Sequence, residues 1–325
     1  MTMSHDTRFL IAKVQASAGV AAAYTGSDLI PAMTLNHKML EADRGTRDLV
    51  DGKAGASKDF LQRPRTIVEA SVEAAGSGAA GTAPFYDPLL RACGFSAAIT
   101  AGQKVTYTPI KVSEHATLVG GFGGTQGAPG SADDLLQEVL DAVGSLSFDA
   151  QEGELPKFSA NLRGIYGAPV ARDTIAANAP LDLGALQNAL YRETKEVNFD
   201  NTAFSFAGQA LKLRELNFAD QAPVISADRP NELSTRRGRR NITGRMVVSA
   251  PALADFDYFA ASINGATSVL SLVHGSGAGD IVEIAAPAVQ SFLSDLGEDD
   301  NEVTATFDLV FTPSAGDDEV SILVR

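Results

Sequence analysis

The chain has no tryptophan and a single cysteine, Cys93, among its 325 residues. A lone cysteine excludes an intramolecular disulfide and any cysteine-based zinc site. Four histidines, His5, His37, His115 and His274, are scattered, and none has another histidine three or four positions away, so no local zinc pair exists. No Gly-x-Ser-x-Gly elbow occurs. No apolar run reaches the length of a membrane span, and "MTMSHDTRFLIAKVQ" lacks a secretory pattern, which points to synthesis and folding in a cytoplasm. Basic residues are the minority, 26 Lys and Arg against 40 Asp and Glu, for a net charge of −14. A free nucleic-acid binder is usually basic, because neutralising phosphates supplies its affinity. This chain repels DNA on average. Plain solubility and a surface that meets DNA without holding it both fit that charge.

What is present is glycine, 30 residues of it, with 14 prolines. Gly76, Gly78 and Gly81 form a Gly-x-Gly-x-x-Gly pattern between a strand-like and a helix-like run, the setting of a dinucleotide turn. The context fails that reading. The strand before it, "TIVEASVEA", puts Glu69, Ser71 and Glu73 on one face, whereas the first strand of a dinucleotide fold is apolar on both. The acidic residue needed for the ribose is also missing from 96–111. The stretches 119–134 and 274–280 have no Gly-Lys-Ser/Thr ending and read as flexible hairpin tips. The acidic clusters "GEDDNE" (297–302) and "GDDE" (316–319) lack calcium-loop spacing and read as solvated turns. "RRGRR" (236–240) is the one strong basic patch, and a salt-bridging contact to an acidic neighbour suits it better than nucleic acid. No cofactor, metal or catalytic residue is expected.

Short strand-like segments fall at about 8–14, 64–75, 104–110, 115–121, 145–150, 157–166, 204–218, 241–249, 268–274, 280–285 and 302–312. "ADDLLQEVLDAVGSLSF" fits a helical period as well as a strand. The order of parts then repeats. Each half runs from arginines to an alternating strand, a short apolar helix ("PFYDPLLRACGF", "ALADFDYFAASING"), a Gly-rich tip, an acidic turn and a last alternating strand. Phe158, Ala160, Leu162, Gly164 and Tyr166 match Val303, Ala305, Phe307, Leu309 and Phe311 at constant offset. Upstream of each half lies a segment of apolar alternation and polar loop, 31–62 and 210–235. The fold class expected is mainly β: two tandem β-sandwich domains, each flanked by a short α-helix. The first spans 1–170 and the second, with a C-terminal arm, 202–325. A linker over 171–201 joins them, with a short helix near 183–193.

"FLIAKVQASAG", "VEAAGSGAAGTAPFYDPLLRACGF", "VTYTPI", "GSLSFDAQEGELPKFSANLRGIYGAP" and "LSLVHGSGAGDIVEIAAPAVQ" together resemble the major tail tube protein of long-tailed, non-contractile bacteriophages, over most of the chain. The stretch 111–143 is less typical of that family. The resemblance implies β-sandwich domains that close into rings around an inner β-barrel. Rings stack into a hollow tube around the tape measure protein, between tail tip and tail terminator proteins, and the tube later conducts DNA into the host. Such a protein is made in the host cytoplasm and ends in the virion. Six domains usually make a ring, so two per chain imply a trimeric pseudo-hexamer. On this reading Glu69 and Glu73 are candidates for an acidic lumen, with an outer solvated face the open alternative. Loops 36–62 and 219–238, with Arg44, Arg47, Asp48, Arg236, Arg237, Arg239 and Arg240, are candidates for contacts between stacked rings. The C-terminal 317–325 is a candidate arm that adds a strand to a neighbour. Another virion component, at the tail tip or decorating the capsid, and a β-rich hydrolase are the alternatives.

Overall fold

The computed structural model describes residues 8–47, 57–112, 114–122, 135–171, 187–299 and 301–325. Nineteen strands and two short α-helices occur among them, and seventeen of the strands join one sheet network. The first part of the chain holds β1 (Arg8–Val14), β2 (Thr34–Gly45), β3 (Phe60–Glu73), α1 (Asp87–Ala92), β4 (Phe95–Thr100), β5 (Lys104–Pro109), β6 (Ala116–Phe122), β7 (Leu135–Gln151), β8 (Lys157–Ile165) and β9 (Val170–Ala171). The second holds β10 (Thr202–Phe206), β11 (Gln209–Ala210), β12 (Leu213–Asp220), β13 (Val224–Arg229), β14 (Glu232–Arg237), β15 (Ile242–Ser249), α2 (Tyr258–Asn264), β16 (Thr267–His274), β17 (Val282–Asp299), β18 (Glu302–Phe311) and β19 (Ser321–Val324).

The two parts share one pairing scheme. In the first, β1 pairs β6, β6 pairs the start of β7, the rest of β7 pairs β8, β8 pairs β3, and β3 pairs β2. In the second, β10 pairs β16, β16 the start of β17, the rest of β17 pairs β18, β18 pairs β15, and β15 pairs β12. All of these pairs are antiparallel. Each long strand therefore belongs to two sheets. β7 changes sheet at a bulge between Leu140 and Val143, where Asp141 takes a φ of 51°. A bulge shifts the period-two pattern by one residue. That shift gives Leu136, Val139, Leu140 and Val143 their helix-like spacing, and it settles the ambiguous segment as strand.

The parts are not separate bodies. β12 pairs β7 from Glu215 opposite Gln151 to Ala219 opposite Ser147. This makes one eight-stranded sheet in the order β2-β3-β8-β7-β12-β15-β18-β17. Phe148 stacks on Phe218 across the join at 5.4 Å, and one apolar cluster runs through both parts. On the other layer β19 lies between β17 and β5. The C-terminal arm thus adds its strand within its own chain, not to a neighbour. Val320, Ile322 and Val324 are buried there.

Several expectations change. The polar stretch after residue 31 is largely strand: β2 runs to Gly45 because its inward positions, among them His37 and Met39, face the core while Asn36 and Lys38 face out. β13 and β14 form a hairpin within 219–238. The run 204–218 breaks at Ala207 and Gly208, both at positive φ, into β10 and the later strands. The segment 187–193 is not helical, and 183–186 lies outside the described residues. The residues after 187 form a strap, not a free spacer. Asn188 donates to Leu29 O (2.8 Å), the Tyr191 ring meets Phe85 at 5.4 Å, and Thr194 bonds the His274 ring (3.0 Å).

Candidate functional site

The glycine turn is filled by protein. Gly78 N donates to Gly279 O (3.0 Å), and a Cβ on Gly76 would collide with that same carbonyl. Gly78 and Gly279 both sit at positive φ, so each supplies a backbone that side chains would keep apart. The turn is where the first part meets the β16–β17 loop of the second, and no pyrophosphate fits between them. The tip 274–280, expected to be a flexible hairpin, is pinned there. The helix that follows, α1, has only six residues. Of 119–134, residues 123–134 lie outside the described residues.

The titratable groups with chemical potential are dispersed. Cys93 is buried, and burial pushes its thiol up to about 12, which suppresses the thiolate a nucleophile needs. His37 bonds the Gln137 side chain (2.8 Å), while His274 bonds Thr202 (2.8 Å) as well as Thr194. Burial holds both imidazoles below their usual range. Among the described residues no group of three or more His, Cys, Asp or Glu stands ready for a metal.

The open face of the eight-stranded sheet carries small polar side chains. A groove of about 550 Å³ is lined by Asn36, Glu69, Ser71, Ser147, Ser159 and Asn161, among others. Glu69 is exposed there and accepts from Asn36 (3.0 Å) and Asn161 (3.3 Å). Glu73 is not free on that face. The strap covers it, with Tyr191 Oη (3.3 Å) and Thr194 N (3.1 Å) donating to its carboxylate.

The basic residues divide. Arg44, Arg47, Arg236 and Arg239 are exposed, and Arg47 lies over the Phe60 ring at 5.4 Å. Asp48 lies outside the described residues. Arg237 points inward: its guanidinium pairs with Asp220, and both side chains are buried. Arg240 bonds Asp317 (2.6 Å), Glu319 (3.1 Å) and Ile110 O (2.7 Å). "RRGRR" therefore pairs with acidic neighbours of its own part of the chain, and Arg240 reaches across to the first part at Ile110 O. The β13–β14 hairpin lies over the first part, where Thr235 Oγ1 donates to Asp141 O.

The feature that sequence reasoning missed is the pair of free edges. Among the described residues no strand pairs with the outer edge of β2, nor with 297–299 of β17 on the side away from β18, the stretch that matches 147–149 of β7; Leu293 N, earlier on that strand, is taken by Ser262 Oγ of α2 (2.9 Å). These edges are the counterparts of β12 and β7, which meet inside the chain. Leu146 and Leu296 occupy matching places, opposite Ala160 and Ala305. Leu146 is 2% exposed and Leu296 44%. Phe158 and Val303 match likewise, at 1% and 58%. An open edge flanked by uncovered leucine and valine invites pairing with another chain. Constant-offset matching identified Phe158 and Val303 as a pair in the sequence, but the burial difference has no sequence signal.

No helix of the described residues is long and apolar enough to cross a membrane. Comparison with protein-family models and with curated proteins gives no match for this chain.

Proposed function

We propose that this chain is a structural subunit of a phage tail tube, built as two tandem tail-tube domains. Copies join head to tail, β2 of one against the end of β17 from 297 in the next, and close as a ring of three. The observation that carries this reading is the repeated seam: the chain already joins β7 to β12 in its middle and leaves the matching pair open at its ends. A head-to-tail contact closes into a ring when its rotation fits, and otherwise runs on as a filament. Ring closure removes both edges of every copy at once.

The polar sheet face then lines a lumen. Glu69, with its serine and asparagine neighbours, sets an anionic charge beside the few cations of that face, Arg8, Lys157, Arg163 and Arg245, so the strand is not held tightly. Rings stack through the arms that carry Arg44, Arg47, Arg236 and Arg239, around a tape measure protein and between tail tip and terminator proteins. The chain performs no catalysis in this role and belongs to the virion. Electron microscopy of the concentrated protein tests the reading. Tubes of uniform width are expected, and dispersed monomers or irregular aggregates at every concentration contradict it.

A further inference from the structure

Helix α2 has an uncovered apolar face. Phe259 and Ile263, four residues apart and so on one side of the helix, are 44% and 84% exposed. Helix α1, its counterpart, buries Leu89 and Leu90 and has the second part of the chain over its end. There the Arg237 guanidinium lies against Gly94, just past α1, and Arg240 reaches Ile110 O. Both helices stop at a left-handed glycine, Gly94 with φ 86° and Gly265 with φ 61°.

The repeat says which residues lie over α2. β3 and β15 align through their partners, since Ala70 stands opposite Ala160 and Val248 opposite Ala305. Counted back from that alignment, 237–240 corresponds to 59–62, with Asp59 and Gln62 in the places of Arg237 and Arg240 and Phe60 and Leu61 between them. Two of those residues, Phe60 and Leu61, are large, apolar and exposed at the base of the β2–β3 arm, paired there with Gly45 and Arg44. Charge agrees with this match. The arm is basic at Arg44 and Arg47, and the approach to α2 is acidic at the exposed Asp255 and Asp257.

We propose that Phe60 and Leu61 of one copy seat on Phe259 and Ile263 of the next. The seam between chains is then locked by apolar contact, where at the seam within the chain Arg237, held by Asp220, lies against Gly94 and Arg240 bonds Ile110 O. This inference rests on the head-to-tail ring proposed above and deepens it. Its test is a double variant, Leu61→Cys with Ile263→Cys, oxidised after assembly. Buried Cys93 takes no part in the cross-linking. The expected result is disulfide-linked dimers and closed trimers on a non-reducing gel, absent from either single variant. Rings that assemble normally without any bridge between chains, or a bridge within one chain, overturn the contact while leaving the ring intact. Wild-type protein that forms no ring overturns both. As a second measurement, Ile263→Glu should raise the concentration needed for assembly more than tenfold. The melting curve of the monomer should not move, because the side chain is exposed. Unchanged assembly of that variant also overturns the contact.

Discussion

The seam inside the chain and the open seam at its two ends are built from corresponding strands and differ in how completely they are sealed. Inside, β7 and β12 join one sheet, β5 and β19 join the other, phenylalanines stack across, and Arg240 reaches Ile110 O. At the ends β2 and β17 each offer an edge, and among the described residues no counterpart of the β4–β5 hairpin stands in the second part. One junction is therefore permanent and the other conditional. On the proposed reading, a single folded chain is the unit that assembles, and the conditional seam forms only when rings are laid down.

Deleting 319–325 breaks the permanent seam most severely. It removes three buried aliphatic side chains and exposes edges of β5 and β17 together. The truncated chain should aggregate or melt far below the full chain, as scanning calorimetry will show, and not remain a stable subunit that merely fails to assemble. Arg237→Ala leaves Asp220 buried and unpaired, which should cost about 3–5 kcal/mol in denaturant unfolding. The cost should be much smaller in the double variant Arg237→Met with Asp220→Leu. Leu146→Ala against Leu296→Ala compares the two seams at one matched position. The first should lose about 2–5 kcal/mol of monomer stability. The second should change it by under about 0.5 kcal/mol yet weaken assembly measured by sedimentation. The smallest effect is at His274, whose folded pKa lies below the usual 6.5 because it is buried. Below about pH 6.5 the unfolded chain takes up a proton that the folded one refuses, so stability falls with pH until the folded pKa is reached. His274→Gln should flatten that part of the stability–pH profile.

Much of this fold was legible where one face is buried and alternation is clean. β1, β3, β5, β6, β8, β15, β16 and β18 lie close to the expected segments, and both helices fall within theirs. The misses have physical reasons. β2 is an edge strand whose outward positions are polar, so it read as loop. β7 hid behind its bulge. β19 is four residues long and gains its strand character from the partners on either side. At the candidate site, Glu69 faces the open side as its alternation implied. Nothing in the sequence reveals that the strap ties Glu73, or that Arg237 turns inward to Asp220 while Arg236 and Arg239 stay out. Those placements depend on contacts between distant segments, which local spacing does not encode.

The central claim is that the open seam repeats the closed one, so that three chains present six equivalent sheets. Counting the chains in one ring of purified tube, by native mass measurement supported by rotational averaging of end-on views, tests it most directly. The account predicts three chains per ring with pseudo-sixfold density. Six chains per ring, or a helical filament with no closed ring, would contradict it.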